Sequence, residues 1–258
     1  MTCRRALRSS FLCLALLPWA AGCSVGATGQ VGYALVEVGG DLGLDRAGGA
    51  VSGSQDVDEA FGLGDAQGSP YVRGQLDTGG LVVTGSALLL QESGQGALTE
   101  TFGGLAAGTS AAADLELGVL KVSAAYDIDL GLAKIAPGVM CDVMAFDLTA
   151  RDVASGLQES VDELVFAPMP FVRAEVGFGP VEAVGEVGYL DFSGLGDTEG
   201  AFLDVEVLLE WHPVPLPFAH LFVGYRHVDL DGSADAGGDL FSADLQLQGW
   251  TIGGGLRF

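Results

Sequence analysis

The stretch Trp250-Thr251-Ile252-Gly253-Gly254-Gly255-Leu256-Arg257-Phe258 sets the reading of the whole chain. Trp250, Ile252, Gly254, Leu256 and Phe258 share one parity, while Thr251, Gly253, Gly255 and Arg257 take the other. Successive side chains of a strand point to opposite faces. This is therefore a strand with a greasy face, closing on an aromatic residue, and a face of small and polar residues. Two surroundings suit it: a protein core under the apolar face with water on the other, or lipid against the apolar face with the polar face turned inward.

Composition narrows the choice. Arg4, Arg5 and Arg8 precede the apolar run Phe11 to Trp19, and Ala20, Ala21 and Gly22 follow, so residues 1–22 read as a secretory signal too short to be a permanent membrane helix. Ala-Ala-Gly-Cys is similar to a lipobox, which would lipidate Cys23, although Ala20 stands where Leu is usual. Cleavage after Ala27 is the other reading, and both stay open. Residues 23–29 form a short N-terminal segment and 30–258 one domain. Of the 11 Lys and Arg, three fall in the signal, leaving 8 cations against 34 acids, a net charge of −26. Such a chain does not bind nucleic acid through its phosphates. With 49% hydrophobic residues and a mean hydropathy of +0.40, it folds. No stretch after residue 22 reaches about 18 apolar residues, which excludes spanning helices and leaves spanning strands open. Cys141 reads as a small apolar strand residue, and no disulfide is expected.

Period-2 runs bounded by turn residues predict ten strands, at 30–44, 69–77, 80–92, 113–126, 131–148, 166–178, 181–191, 200–212, 217–230 and 241–258. Tight turns such as Asp77-Thr78-Gly79-Gly80 and Gly179-Pro180 alternate with longer segments at 45–68, 93–112, 149–165, 192–199 and 231–240. An even number of strands, with short turns at one rim and long loops at the other, is the pattern of a transmembrane barrel.

The charges then choose a face. On strand 200–212 the odd residues are all apolar, from Ala201 to Trp211, and the even ones include Asp204, Glu206, Glu210 and His212. Taking each strand's more apolar parity as lipid-facing, the opposite parity collects Arg73, Lys121, Lys134, Arg173, Arg226 and Arg257, together with Glu37, Asp142, Glu175, Glu182, Glu186, Asp204, Glu206 and Glu210. A Lys or Arg on the lipid face near mid-bilayer costs about 2–4 kcal/mol, so these six cations belong inside. The fold class predicted is all-β, an antiparallel up-and-down transmembrane β-barrel of about ten strands. The rival is a secreted soluble barrel or sandwich with its greasy face inward. Phe258, the aromatics Tyr126, Tyr189, Trp211 and Trp250 toward strand ends, and the small lumen residues Gly253 and Gly255 favour the membrane barrel.

Over residues 30–258 the chain resembles small outer-membrane β-barrels of Gram-negative bacteria, of the OmpA-like and OmpW-like kind, in architecture and in no particular subfamily. The omptin proteases match in strand number only. The resemblance implies residence among outer-membrane lipids and insertion by the barrel assembly machinery, with Trp250, Ile252, Leu256 and Phe258 as the assembly signal.

A ten-stranded barrel is little wider than the eight-stranded kind that side chains fill. The fourteen charged lumen residues are thus expected to interlock as salt bridges and plug it, giving a structural or surface-interaction protein of the cell envelope. A porin-like narrow channel is the alternative, cation-preferring because acids outnumber cations. An outer-leaflet enzyme is third: His227 and Asp229 could serve as base and orienter, but no nucleophile motif accompanies them, so no catalytic residue is assigned. No cofactor or metal is expected. The acidic loop residues Asp56, Asp58, Glu59, Asp65, Asp231, Asp235 and Asp239 could meet divalent cations, yet Asp231 to Asp239 lack an EF-hand's terminal Glu, and loop solvation explains them.

Overall fold

The structure is a computed structural model that describes residues 25–45, 53–192, 199–213, 215–216, 218–236 and 239–258. The signal segment and Cys23 lie outside the described residues. Ten long strands are present among them: β1 Gly26–Asp45, β2 Gln67–Asp77, β3 Leu81–Ala97, β4 Ser110–Tyr126, β5 Ala133–Asp152, β6 Gln158–Phe178, β7 Val181–Asp191, β8 Glu199–Trp211, β9 Ala219–Ala236 and β10 Asp239–Arg257. Each pairs antiparallel with its sequence neighbours, and β10 pairs with β1 from Thr28↔Arg257 to Asp45↔Leu240, which closes the barrel. Every strand expected from the sequence is present.

The register fixes the barrel's dimensions. A path crossing the strands leaves β1 at Gly26, passes Asp77, Val82, Ala125, Gly138, Phe171, Gly188, Asp204, Val228 and Leu247, and returns to β1 at Val38, 12 residues further on. That stagger over ten strands tilts them by about 40° and sets a backbone radius of about 10 Å. Inward side chains fill a tube of that width.

Several strands are longer than the sequence pattern suggested. The expected loop 149–165 is mostly strand, since β5 runs to Asp152 and β6 starts at Gln158, and β3, β4, β9 and β10 are extended likewise. At the tilt above, each residue adds about 2.5 Å of height, so a 20-residue strand rises about 50 Å, twice the apolar band of a membrane barrel.

The outer wall changes character part-way up. On β3 the outward residues Leu81, Val83, Ala87 and Leu89 give way to Gln91, Ser93 and Gln95. On β4, Tyr126, Val122 and Leu120 give way to Glu116 and Asp114, and on β10, Leu256, Ile252 and Trp250 give way to Gln248, Gln246 and Asp244. The apolar zone is about 20–25 Å tall, as membrane barrels require. Exposed aromatics edge it: Tyr126, Phe178, Trp211 and Phe218 toward the turn rim, and Tyr33, Tyr189 and Trp250 toward the loop rim.

The interior changes in the opposite sense. Within the belt it holds Thr84, Ser86, Lys121, Ser123 and Asp142; above it come Val36, Val38, Leu90, Leu115, Leu117, Phe146, Leu148, Leu245 and Leu247, all buried. β1, β3, β4 and β10 are apolar-out with small or polar residues inward inside the belt, then polar-out and apolar-in beyond it.

This inversion corrects the placement of Glu37. Its side chain is exposed on the outer wall, and its neighbours Val36 and Val38 are buried. On β1 the more apolar parity, from Ala34 to Leu44, fills the interior above the belt, so choosing the greasier parity as lipid-facing puts Glu37 on the wrong side.

Two connections cork the loop rim. The first carries helix α1, Val57–Phe61, whose Asp56 carboxylate accepts the Asp58 and Glu59 amides at 2.9 Å each and which ends on Gly62 at φ 66°. It buries Val57, Ala60, Phe61 and Leu63 in the mouth, and the β3–β4 connection buries Leu98, Phe102 and Leu105 there. The Phe61 and Phe102 rings meet edge to face at 5.1 Å. The Glu92 carboxylate accepts the Gly64 and Asp65 amides at 2.9 and 3.1 Å, and the Gln55 side-chain oxygen accepts the Thr99 amide at 3.0 Å.

The closing strand explains its own glycines. A side chain at Gly253 would meet the Val31 carbonyl and the Phe222 ring, and one at Gly255 would strike the His220 ring. Gly254, on the outward parity, has only ordinary contacts at 3.4 and 3.5 Å.

Candidate functional site

Nine of the fourteen charged residues expected in the lumen form one connected network at belt level: Arg73, Lys121, Asp142, Arg173, Glu175, Glu186, Asp204, Glu206 and Arg226, all buried. Glu186 accepts from Arg73 at 2.5 Å and Arg173 at 2.9 Å and lies 3.0 Å from the Lys121 ammonium. Glu206 accepts from Arg73 at 2.8 Å and from Lys121. Lys121 stands 3.4 Å from Asp204, which takes both Nε and Nη2 of Arg226 at 3.0 and 3.1 Å; Arg226 also reaches Asp142 at 3.3 Å. At the lower end Arg173 bonds Glu175 through Nε at 2.8 Å. Low-dielectric surroundings make such charge-assisted bonds strong and an unpaired member costly. The network holds four cations and five carboxylates.

Two neutral members went unassigned in the sequence reading. The Tyr71 hydroxyl donates to Glu206 at 2.8 Å, and Gln75 accepts from Arg173 at 2.9 Å. Both share the parity of Arg73 on β2, and that shared face was the signal for finding them.

Lys134, Glu182, Glu210 and Arg257 sit at the turn-rim mouth below this network. Lys134 is 41% exposed, 3.7 Å from Glu175 and 3.9 Å from Asp127. Gln30 donates to Glu210 at 2.6 Å and contacts the His220 ring at 2.8 Å, and His212 lies 3.6 Å from Glu210 and 3.8 Å from Glu182. Arg257 is exposed beside a cleft lined by Gln75, Asp77 and Phe258. In the β4–β5 turn, partial burial and then the Glu175 charge push the Asp127 carboxyl above its usual range.

Above the belt the outer wall is acidic. Asp41, Asp244 and Asp231 stand directly opposite one another on β1, β10 and β9, and Asp56 lies opposite Asp41 on the other side. Some burial, followed by the charges of Asp231, Asp229 and Asp41, raises the Asp244 carboxyl above its usual range. Asp56 has a separate job as the α1 cap, and the side chains of Asp235 and Asp239 lie outside the described set. His227 and Asp229 share this outer wall, half-buried, just above Tyr225. Among the described residues no group of three His, Cys, Asp or Glu side chains is spaced to hold a metal ion.

A closed ten-stranded antiparallel barrel, belted by apolar and aromatic residues and carrying its belt-level cations inside, is a bacterial outer-membrane β-barrel in fold. No protein-family model and no curated protein sequence matches the chain. Among solved structures it is similar to the outer membrane protease OmpT from Escherichia coli, with 11% identity and a TM-score of 0.60 over 93% of this chain and 99% of that one. It is also similar to Ail, the attachment invasion locus protein of Yersinia pestis (12% identity, TM-score 0.41, 91% and 99% covered), and to Neisserial surface protein A (13% identity, TM-score 0.35, 92% and 100% covered). The likeness to OmpT is one of fold.

Proposed function

We propose that this chain is a non-conducting barrel of the bacterial outer membrane that holds a rigid, acidic head above the bilayer for structural or surface-interaction purposes. The observation that carries the reading is the double seal: a continuous ionic network at belt level, and over it a packed apolar core corked by α1 and the β3–β4 connection. An ion crossing it would displace bridged charges and then pass through hydrocarbon, where a bare charge is not solvated. Outer-membrane lipids around the belt and the barrel assembly machinery are the partners this reading takes, and divalent cations at the acidic wall are a further one. We read the barrel as non-catalytic: His227 and Asp229 face outward on the wall, with Gln248 and Val205, and Gln246 and Leu203, as their cross-strand neighbours.

The test is conductance of the purified, refolded barrel in planar bilayers. The expected result is a flat baseline. Steady unitary openings with cation preference would overturn the sealed reading and establish the narrow channel, for which the excess of one carboxylate in the network is the supporting observation.

A further inference from the structure

On one side of the barrel the outer wall stays apolar above the belt. Ladder partners across β3, β4, β5 and β6 stack into three rungs on that face. The lowest joins Leu120, Val143 and Phe166, the next Leu89, Gly118, Ala145 and Leu164, and the third Glu116, Asp147 and Asp162. Leu89, Leu164 and Phe166 are 45%, 67% and 65% exposed. Gly118 keeps the middle rung low, since a side chain there would meet only the Ala145 methyl at 3.8 Å and Leu89 at 3.9 Å. The result is a shallow trough with a floor of small residues, leucine walls, an apolar lower lip and a carboxylate upper lip. Arg151, the one cation above the belt among the described residues, stands about 13 Å further along β5, beyond Thr149.

Lipid does not account for this face. From the stagger, Phe166 stands about 8 Å and Leu164 about 13 Å above the level of Tyr33, Tyr189 and Trp250. At those heights the far wall is already Glu37, Asp229 and Gln246. Tilting the barrel does not bring the trough into hydrocarbon, because the lower edge is level: Phe178, beneath it, lies within about 2 Å of the height of Phe258 across the barrel. A tilt that lowered Leu164 would push Phe178 out of the opposite side of the bilayer. Stretching the bilayer up to Leu164 is unfavourable, and lipid phosphates at its surface would meet the acid row with like charge. A second copy is opposed as well. Two copies side by side in one membrane meet at equal heights, so acid row would face acid row.

We propose that this trough docks a basic amphipathic helix of a partner polypeptide, its apolar stripe on Gly118 and Ala145 between the two leucines and its lysines or arginines along the acid row. Charge complementarity selects that partner. The upper lip carries three carboxylates, and a chain with 8 cations against 34 acids after its signal draws positive charge toward it. Size agrees: the four strands span about 14 Å across the trough, the length of about nine residues of helix. Such docking is the surface interaction read above and rests on that reading, while bilayer conductance tests the seal separately.

The test is fluorescence anisotropy of a labelled helical peptide with leucines on one face and lysines on the other. It is titrated with the full-chain barrel refolded in phosphatidylcholine vesicles, against empty vesicles as baseline, and migration of unboiled samples confirms that each variant folds. Saturable binding by the wild type is expected. Gly118→Leu, which fills the floor, should weaken it about tenfold, and so should Glu116→Gln combined with Asp162→Asn. Asp231→Asn with Asp244→Asn removes the same charge from the far wall and should leave affinity within about twofold. No saturable binding above empty vesicles overturns the proposal. Equal weakening by both charge pairs overturns it too, since the peptide then reads only net charge, as does undiminished binding by Gly118→Leu. A wild-type dimer that Gly118→Leu dissociates would make the occupant a second copy. Quenching of Leu164→Trp by acyl-brominated phosphatidylcholine, as deep as that of Trp250, would make it lipid, and either result overturns the proposal.

Discussion

Lys121→Met is the sharpest probe of the ionic network. The methionine keeps the length of the side chain and removes its charge, at a position 1% exposed and in contact with Glu206, Glu186 and Asp204. Three guanidinium groups would then face five carboxylates in a sealed compartment. Removing one partner of a buried ion pair costs about 3–5 kcal/mol, because the carboxylates left behind can neither regain water nor find another cation. That is roughly a 150- to 5,000-fold change in the unfolding equilibrium constant. Lys134→Met is the control: at 41% exposed, with its carboxylates 3.7 and 3.9 Å away, it should cost about 0–1 kcal/mol. Urea unfolding of the barrel in lipid vesicles, followed by tryptophan emission and by migration of unboiled samples, reads both. Adding Glu206→Gln to Lys121→Met removes one orphaned carboxylate, so the double variant should lose less than the sum of the singles, with a coupling of about 0.5–3 kcal/mol. Should Lys121→Met match Lys134→Met within error, the interior is wet enough to solvate its own charges, and the case for a sealed barrel collapses.

Gly253→Val is expected to abolish the heat-shifted band on a detergent gel, since its side chain would meet the Val31 carbonyl and the Phe222 ring, while Gly254→Val, one residue away but facing the belt, should migrate as wild type. Phe61→Ala should cost about 3–5 kcal/mol by leaving a cavity under the corked mouth; a drop below 1 kcal/mol in the same urea assay would mean the cork is not packed. Glu37→Gln, on the exposed outer wall, should stay within about 0.5 kcal/mol of wild type, whereas Val36→Asp should prevent refolding. For Asp244 the sign runs toward acid: its carboxyl is raised in the folded barrel, so stability falls as pH rises from the usual carboxylate range through the raised value. Asp244→Asn should flatten that slope and, like added salt, stabilise the barrel at neutral pH, and an unchanged pH profile would exclude repulsion along this row.

What the sequence disclosed and what it concealed follow from one symmetry. Alternation with period 2 says which residues share a face, and it is unchanged when inside and outside are exchanged. Only a residue intolerant of one medium breaks the tie. Within the belt Arg73, Lys121, Arg173 and Arg226 did so, because none can sit in hydrocarbon, and the nine network residues were legible for that reason. Above the belt the described residues carry one cation, Arg151, which points outward, and nothing there marked the inner face. Glu37 was therefore assigned with the wrong face, and its neighbour Val36 passed for lipid-facing surface, whereas Leu117 and Phe146 share the parity of Lys121 and Asp142 and were placed inside with them. Length was the unused clue. The run at 131–148 already spans 18 residues, where about 9–11 cross a bilayer, so part of it had to stand outside the membrane, where water, not lipid, decides which parity is buried.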